Sequence, residues 1–309
     1  MKSDDVYFVG LWGMSGIGKT EIASVIYERY RHQFEAYCFL GDVGEMYRKK
    51  GLRWLQKTLI CKLFGKKMIV TSEHDGTIII KNGLRWKKVL LVLDNVDHLS
   101  QLELIVGGTE WFGRGSRILI TTRDKHLVVS HVKEDKVYEV LLLSENEALE
   151  LFCMHAFKRK SPERDFKVLS NEVVKYADGL PLALKVLGSS FYRRDKKHWR
   201  HIIDRLKRIP HKDILGKLRL SFDGLDKDEK ELFLDIAFLD IACFSRDDFD
   251  ICVVLLQRDV SRGFLIHYLI EKSLLSIDLD NSIVMHNMIR EMGENVIREE
   301  YDNSRIWLP

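Results

Sequence analysis

The stretch Val6-Tyr7-Phe8-Val9-Gly10-Leu11-Trp12-Gly13-Met14-Ser15-Gly16-Ile17-Gly18-Lys19-Thr20-Glu21-Ile22 decides the fold. Residues 6–12 form a near-continuous apolar run of strand length. Gly13 to Thr20 fits G-x-x-x-x-G-K-[ST]. Residues 20–34 then read as a helix, with Ile22, Val25, Ile26 and Tyr30 recurring at helical spacing. Strand, glycine loop and helix in this order read as a phosphate-binding loop. The glycines let the backbone wrap tightly, so the N–H groups around Ser15, Gly16, Ile17 and Gly18 point at phosphate oxygens. The following helix adds its positive end. Lys19 is expected to bridge the β- and γ-phosphates, and Thr20 to hold magnesium through its hydroxyl.

Working outward, residues 36–40, 89–93, 117–121 and 137–140 are further short apolar runs separated by helix-like segments. Continuous apolar strands are buried on both faces, as in a parallel sheet covered by helices, so a doubly wound α/β fold is expected. The run Lys88-Val89-Leu90-Leu91-Val92-Leu93-Asp94-Asn95-Val96-Asp97 is an apolar strand ending in an acid, the Walker B pattern. Asp94 would reach the magnesium, directly or through water. A third strand ends in Thr121-Thr122-Arg123, and from a neighbouring parallel position Arg123 would sense the γ-phosphate. No N-K-x-D element, which reads guanine, is present; Lys81-Asn82-Gly83 is not one. Adenine is therefore favoured.

Past residue 143 the strand signals fade. Residues 144–157 read as a helix with Ser144 and Glu147 as a capping box. Residues 166–177, 181–192 and 198–206 continue the helical pattern, with Pro181 at a first turn, where proline is tolerated. From residue 216 come further helices, then short runs at 274–278 and 282–285 joined by Leu279-Asp280-Asn281, which read as a small hairpin. Helices followed by a two-strand wing suggest a winged helix. The expected division is 1–143, an α/β nucleotide-binding domain; 144–215, a small helical domain; and 216–309, a winged-helix domain. The pentapeptide Phe-Leu-Asp-Ile-Ala occurs twice in tandem, at 233–237 and 238–242. In a helix the second copy is turned by roughly 140° from the first, so both apolar stripes cannot face one core unless the helix is buried all round.

Bulk composition excludes several classes. With 49 Lys and Arg against 46 Asp and Glu, the net charge of +3 does not argue for nucleic acid. Basic clusters occur at 85–88 and 193–200, but the winged-helix segment lacks a dense basic stripe, so nucleic acid is not an expected partner. No apolar run reaches the roughly 18 residues of a membrane span, and the N-terminal run has no cleavage site of a signal peptide. The cytosol, with nuclear access open, is the expected compartment. The five cysteines (Cys38, Cys61, Cys153, Cys243 and Cys252) include no C-x-x-C pair and are expected as reduced, mostly buried thiols.

With these residues in place, the chain resembles the NB-ARC nucleotide-binding switch of plant intracellular immune receptors over nearly its whole length. Beyond the nucleotide elements, Tyr37-Cys38-Phe39-Leu40, Gly179-Leu180-Pro181-Leu182-Ala183-Leu184 and Met285-His286-Asn287 look like family blocks in the family's order. Asp97, where the coiled-coil branch has tryptophan, and the segment from Phe238 to Phe244 resemble the branch carrying an N-terminal TIR domain. The resemblance implies that Pro181 packs on adenine and His286 reaches the β-phosphate of ADP. It further implies an ADP-bound resting state, an ATP-bound active state, self-association on activation, and action with other immune-receptor domains or proteins in trans.

Several positions depart from the family pattern. Glu21 would place a carboxylate near the α-phosphate and weaken binding unless it turns to solvent. Asn95 replaces the second acid of Walker B, the candidate base for the attacking water, and an amide cannot take up that proton. Slow or absent hydrolysis is expected, which makes the chain at most a slow ATPase. A degenerate decoy or adaptor with impaired nucleotide binding is the other reading. Asn287 replaces an aspartate beside His286, and Gly44 stands where the TIR branch often has arginine. The chain starts just before its first strand, so a fragment or shortened receptor without TIR and leucine-rich-repeat regions is expected.

Overall fold

The computed structural model describes residues 5–65, 68–206, 210–242, 260–277 and 283–305. Two compact units emerge: Met1–Gly13 with Gly18–Val140, and Met14–Ile17 with Leu141–Pro309.

The first unit is built on five parallel strands, β1 (Tyr7–Trp12), β2 (Ala36–Leu40), β3 (Val89–Val96), β4 (Arg117–Thr122) and β5 (Val137–Glu139). Their order is β2-β3-β4-β1-β5. Every expected apolar run becomes a strand. The reason is visible in the sheet's two-faced burial. Leu91, Leu93, Ile118, Ile120, Phe8 and Trp12 enter one core, while Val92, Leu119 and Leu11 enter another on the opposite face. Successive side chains on a strand alternate faces, so only unbroken apolar runs satisfy both cores.

The larger core is covered by α2 (Val43–Lys50), α3 (Leu52–Phe64), α4 (Glu73–Leu84), α5 (Leu99–Ile105) and α6 (Lys125–Val129), which include the buried residues Val43, Leu55, Leu59, Ile80, Leu102 and Leu127. The opposite face takes α1 (Lys19–Tyr30). The buried face of α1 differs from the one its apolar spacing suggests. Val25 is 63% exposed, and Ile22 and Tyr30 are also exposed. Ala23, fully buried, packs there with Ile26 and Tyr27 against Leu11, Val92 and Leu119. A stripe at i, i+3 and i+4 led by a small residue lets the helix approach the sheet closely.

The second unit is helical. Its first helices are α7 (Glu145–Ala156), α8 (Lys167–Ala177), α9 (Pro181–Phe191) and α10 (Lys196–Leu206). The expected capping box is present: Ser144 donates both its N–H and its hydroxyl to the Glu147 carboxylate, at 3.0 and 2.6 Å. Trp199 is the hub of the core. Its ring lies 4.4 Å from that of Phe191, 4.9 Å from Phe166, 5.4 Å from Phe157 and 5.8 Å from Phe152. Its indole N–H donates to the Phe191 carbonyl at 3.1 Å, so burial leaves no orphaned donor.

After these come α11 (Lys212–Asp223), α12 (Lys227–Ala242), a helix Val260–Glu271, a hairpin of Ser276–Ile277 with Ile283–Val284, and a terminal helix Asn287–Arg305. The hairpin is antiparallel, as its apolar pattern suggests, and its turn Leu279-Asp280-Asn281 lies outside the described residues. Both pentapeptide copies fall within the single helix α12. Phe233, Ile236 and Ala237 of the first copy are fully buried. The second copy's side chains lie outside the described residues. Cys38 and Cys153 are buried and Cys61 is exposed; Cys243 and Cys252 also lie outside them.

Candidate functional site

The strand order explains why three distant sequence elements meet. β4 lies between β1, which feeds the glycine loop, and β3, which carries the Walker B acid. In parallel sheets the carboxyl ends of the strands form the ligand crevice, and all three elements leave the sheet there.

Thr20, in the first turn of α1, donates its hydroxyl to Asp94 at 2.9 Å to Oδ1 and 3.1 Å to Oδ2. Asp94 is 2% exposed and also accepts the Thr121 hydroxyl at 2.7 Å. One carboxylate and one exposed hydroxyl therefore converge beside the loop. Magnesium is commonly held this way, by one or two carboxylates together with hydroxyls, waters and substrate phosphates. Among the described residues there is no cluster of three or more His, Cys, Asp or Glu to form an all-protein cage.

Lys19 is 8% exposed and reaches back to the Gly13 carbonyl at 2.6 Å. Burial, and then the neighbouring Arg123 guanidinium, pull its ammonium down to a pKa of about 7, against a smaller opposing effect of Asp94. A buried ammonium beside a guanidinium favours an anion, which is the donor chemistry a polyphosphate tail needs. Arg123 follows β4 and is half-buried. Burial lowers its pKa, Asp97, Asp42 and Asp94 raise it, and Arg48 lowers it. Lys19, Thr20, Asp94 and Arg123 thus form one electrostatic cluster, all within the first unit.

Around it, Asp97 pairs with Arg48 and exchanges two hydrogen bonds with Gln101: its N–H donates to Gln101 Oε1 at 3.1 Å, and Gln101 Nε2 donates to Asp97 Oδ1 at 2.7 Å. Gly44 packs onto the Asp97 carboxylate so closely that a Cβ would stand 2.3 Å from an oxygen. Any larger residue at Gly44 would have to displace Asp97, and here the cation reaching Asp97 is Arg48. Glu21 is exposed on α1. Asn95 sits in the left-handed region at φ 59°, where asparagine is tolerated better than most residues. The β3–β4 register shifts between Leu93 and Val96 at this point.

The remaining expected residues lie in the second unit, with which the loop crown Met14–Ile17 groups. Gly16 has φ +82°, and a Cβ there would lie 2.8 Å from Leu182 Cβ; its carbonyl accepts the Leu182 N–H at 3.1 Å. Ser15 donates its hydroxyl to the Lys217 carbonyl at 3.1 Å, and Ile17 is buried. Pro181 is the first residue of α9, entered from Asp178 and Gly179, both at positive φ.

His286 has both ring nitrogens engaged. Nδ1 accepts the Met288 N–H at 3.1 Å, which leaves the hydrogen on Nε2, and this donates to the Asp178 carbonyl at 3.0 Å. Burial is the first cause of its lowered pKa, opposed by Asp178. Asn287 accepts from Arg290 at 2.9 Å. In the sequence Thr121 and Thr122 read only as a strand end before Arg123. Two hydroxyls beside a Walker B acid on the neighbouring strand were the available signal.

A parallel sheet with a glycine loop, a strand-end acid and an interposed third strand defines a P-loop nucleotide-binding NTPase fold, here followed by helical and winged-helix parts. The NB-ARC domain model matches residues 1–162, and the chain belongs to that family. The winged-helix domain of Roq1-like disease resistance proteins matches residues 226–301. TMV resistance protein N of Nicotiana glutinosa is 40% identical over 315 residues, covering 98% of this chain and 27% of that protein. Disease resistance protein RUN1 of Vitis rotundifolia is 40% identical over 317 residues, covering 99% of this chain and 23% of that protein. The chain spans about a quarter of the length of these curated relatives. They represent the TIR-type branch that Asp97 and the Phe238 to Phe244 block suggest. The Walker-type ATPase of Pyrococcus abyssi shares the fold at a TM-score of 0.62 and 10% identity, over 93% of this chain and 91% of that one. Among the described residues no helix is long and apolar enough to cross a membrane.

Proposed function

We propose that this chain is the adenine-nucleotide switch of a plant disease-resistance protein, with ADP holding a resting state and ATP an active one. The observation that carries the reading is the meeting of the Thr20 hydroxyl, the Asp94 carboxylate and the Lys19 ammonium at one strand-end crevice. Lys19 neutralises the β- and γ-phosphates, and the amides from Ser15 to Gly18, with Gly13 setting the turn, cradle them. Magnesium, held by Thr20 and Asp94, supplies further charge neutralisation. Arg123 reads the third phosphate.

The division into 1–143, 144–215 and 216–309 gives the switch its parts, with the last boundary moved to the start of α11, which runs unbroken from Lys212 to Asp223. Pro181 packs on adenine, and His286 exchanges the Asp178 carbonyl for the β-phosphate. A nucleotide shifts a two-state arrangement only through differential contacts, and His286 supplies one, because its Nε2–H cannot serve both acceptors at once. The exposed Glu21 lies on α1, where solvent screens its repulsion. Self-association on activation, action in trans with other receptor domains and residence in the cytosol or nucleus complete the reading.

Asn95 sets the hydrolytic expectation. An amide at the base position leaves the bound state long-lived, with little turnover. The purified protein is expected to carry ADP, detectable by mass spectrometry after denaturation, and Asn95→Asp to raise magnesium-dependent ATP turnover. Protein free of nucleotide that also fails to bind added ADP would overturn the switch reading. Equal turnover by the wild type and Asn95→Asp would overturn the role given to Asn95.

A further inference from the structure

We propose that Thr121 is a positioning residue that aims the Asp94 carboxylate across the broken end of the sheet. The inference rests on the nucleotide-and-magnesium reading of the site.

The β3–β4 ladder is regular through Leu93 beside Ile120 and resumes only at Val96 beside Thr122. In the gap the chain turns through Asn95 at φ 59°. A break of this kind removes ladder hydrogen bonds next to the one acid that the site needs in a fixed orientation. Thr121 closes the gap with a single hydroxyl. Its Oγ1 accepts the Asn95 N–H at 2.8 Å and donates its own hydrogen to Asp94 Oδ1 at 2.7 Å. Thr121 is 1% exposed, so water does not compete for either bond. The next residue repeats the device: Thr122 donates to the Val96 carbonyl at 2.7 Å and accepts the Asp124 N–H at 3.1 Å.

β-Branching restricts the χ1 of threonine, which fixes where the hydroxyl points. Of the two hydroxyls on Asp94, that of Thr20 is exposed on the loop side and belongs to the magnesium set. The Thr121 hydroxyl is buried and holds the carboxylate from behind. Partners that orient a metal-side carboxylate in this way typically contribute tenfold or more to metal affinity.

The test separates the hydroxyl of Thr121 from its methyl group. Fluorescent ADP is titrated into the nucleotide-stripped chain with magnesium and with EDTA, and ligand-free unfolding is followed in parallel. Thr121→Val keeps the shape and removes the hydroxyl; it is expected to lose about tenfold of the magnesium-dependent gain in ADP affinity, with affinity in EDTA within about twofold of wild type. Thr121→Ser keeps the hydroxyl and is expected to retain most of the gain. A valine variant with the full magnesium gain overturns the proposal, as does a serine variant that loses it. Should valine prevent folding, the serine variant decides alone: retention supports the hydroxyl role and loss overturns it. A wild-type chain with no magnesium gain overturns the nucleotide-and-magnesium reading itself, a result distinct from any behaviour of the variants.

Discussion

The phosphate end of the first unit and the histidine end of the second are held by different means. Asp94 lies within β3 and Arg123 just beyond β4, where parallel pairing places the two strands side by side, and Lys19 and Thr20, in the first turn of α1, are tied to that end by the Thr20 hydroxyl on Asp94. Pro181 and His286 stand at helix starts, and His286 is held by two single hydrogen bonds, from Met288 and to Asp178. A sheet ladder is cooperative and offers one geometry. A single hydrogen bond from a buried ring N–H can be exchanged only when another acceptor replaces the carbonyl, and a charged acceptor makes the stronger bond. The contrast fits the proposed function, in which the first end reads phosphate and the second exchanges its partner.

The largest expected effect tests whether the second unit has a core of its own. Trp199→Ala removes the hub of five aromatic rings and should cost ~3–5 kcal/mol in urea unfolding of that unit. A loss spread equally over both units would break the contrast.

Next is Lys19→Met, which keeps the aliphatic stem and removes the charge. ADP affinity should fall on the order of 100-fold by fluorescence titration, as expected for losing the charge-assisted contact to the β-phosphate. Ligand-free stability should stay level or rise, because the desolvated ammonium is gone. A parallel fall in stability would mean that Lys19 is part of the scaffold.

The pH dependence follows from the same group. Lys19 titrates at about 7 in the folded chain against the ordinary 10.5. Between those values the unfolded chain binds the extra proton, so the contribution of Lys19 to ligand-free stability rises with pH across that window. Polyphosphate favours the charged form, so ADP binding should take up a proton above pH 7 and weaken by up to about tenfold per unit. Calorimetry in buffers of differing ionisation enthalpy measures that uptake, and Lys19→Met should abolish it.

The smallest effect concerns the second unit's single-bond character. Tyr176 on α8 donates to Glu291 of the terminal helix at 2.8 Å, and burial is the first cause of the raised pKa of both groups. Tyr176→Phe should cost about 1 kcal/mol, read by urea unfolding near neutral pH. A cost several times larger would show this end to be as cooperative as the sheet.

The sequence by itself determined the strands, the glycine loop, the capped helix at Ser144 and the family, because each is a local pattern. An apolar run, a glycine spacing and a cap residue act over a few neighbours. Only the tertiary structure decided what is non-local. It set β4 between β1 and β3, turned α1 onto Ala23, Ile26 and Tyr27 instead of Val25, and laid three helices, α2, α3 and α4, over the larger core. It also gave Thr121 its two bonds across the bulge and His286 its Asp178 partner. These choices depend on which surfaces meet after distant segments pair, and residue spacing along a chain carries no record of that meeting.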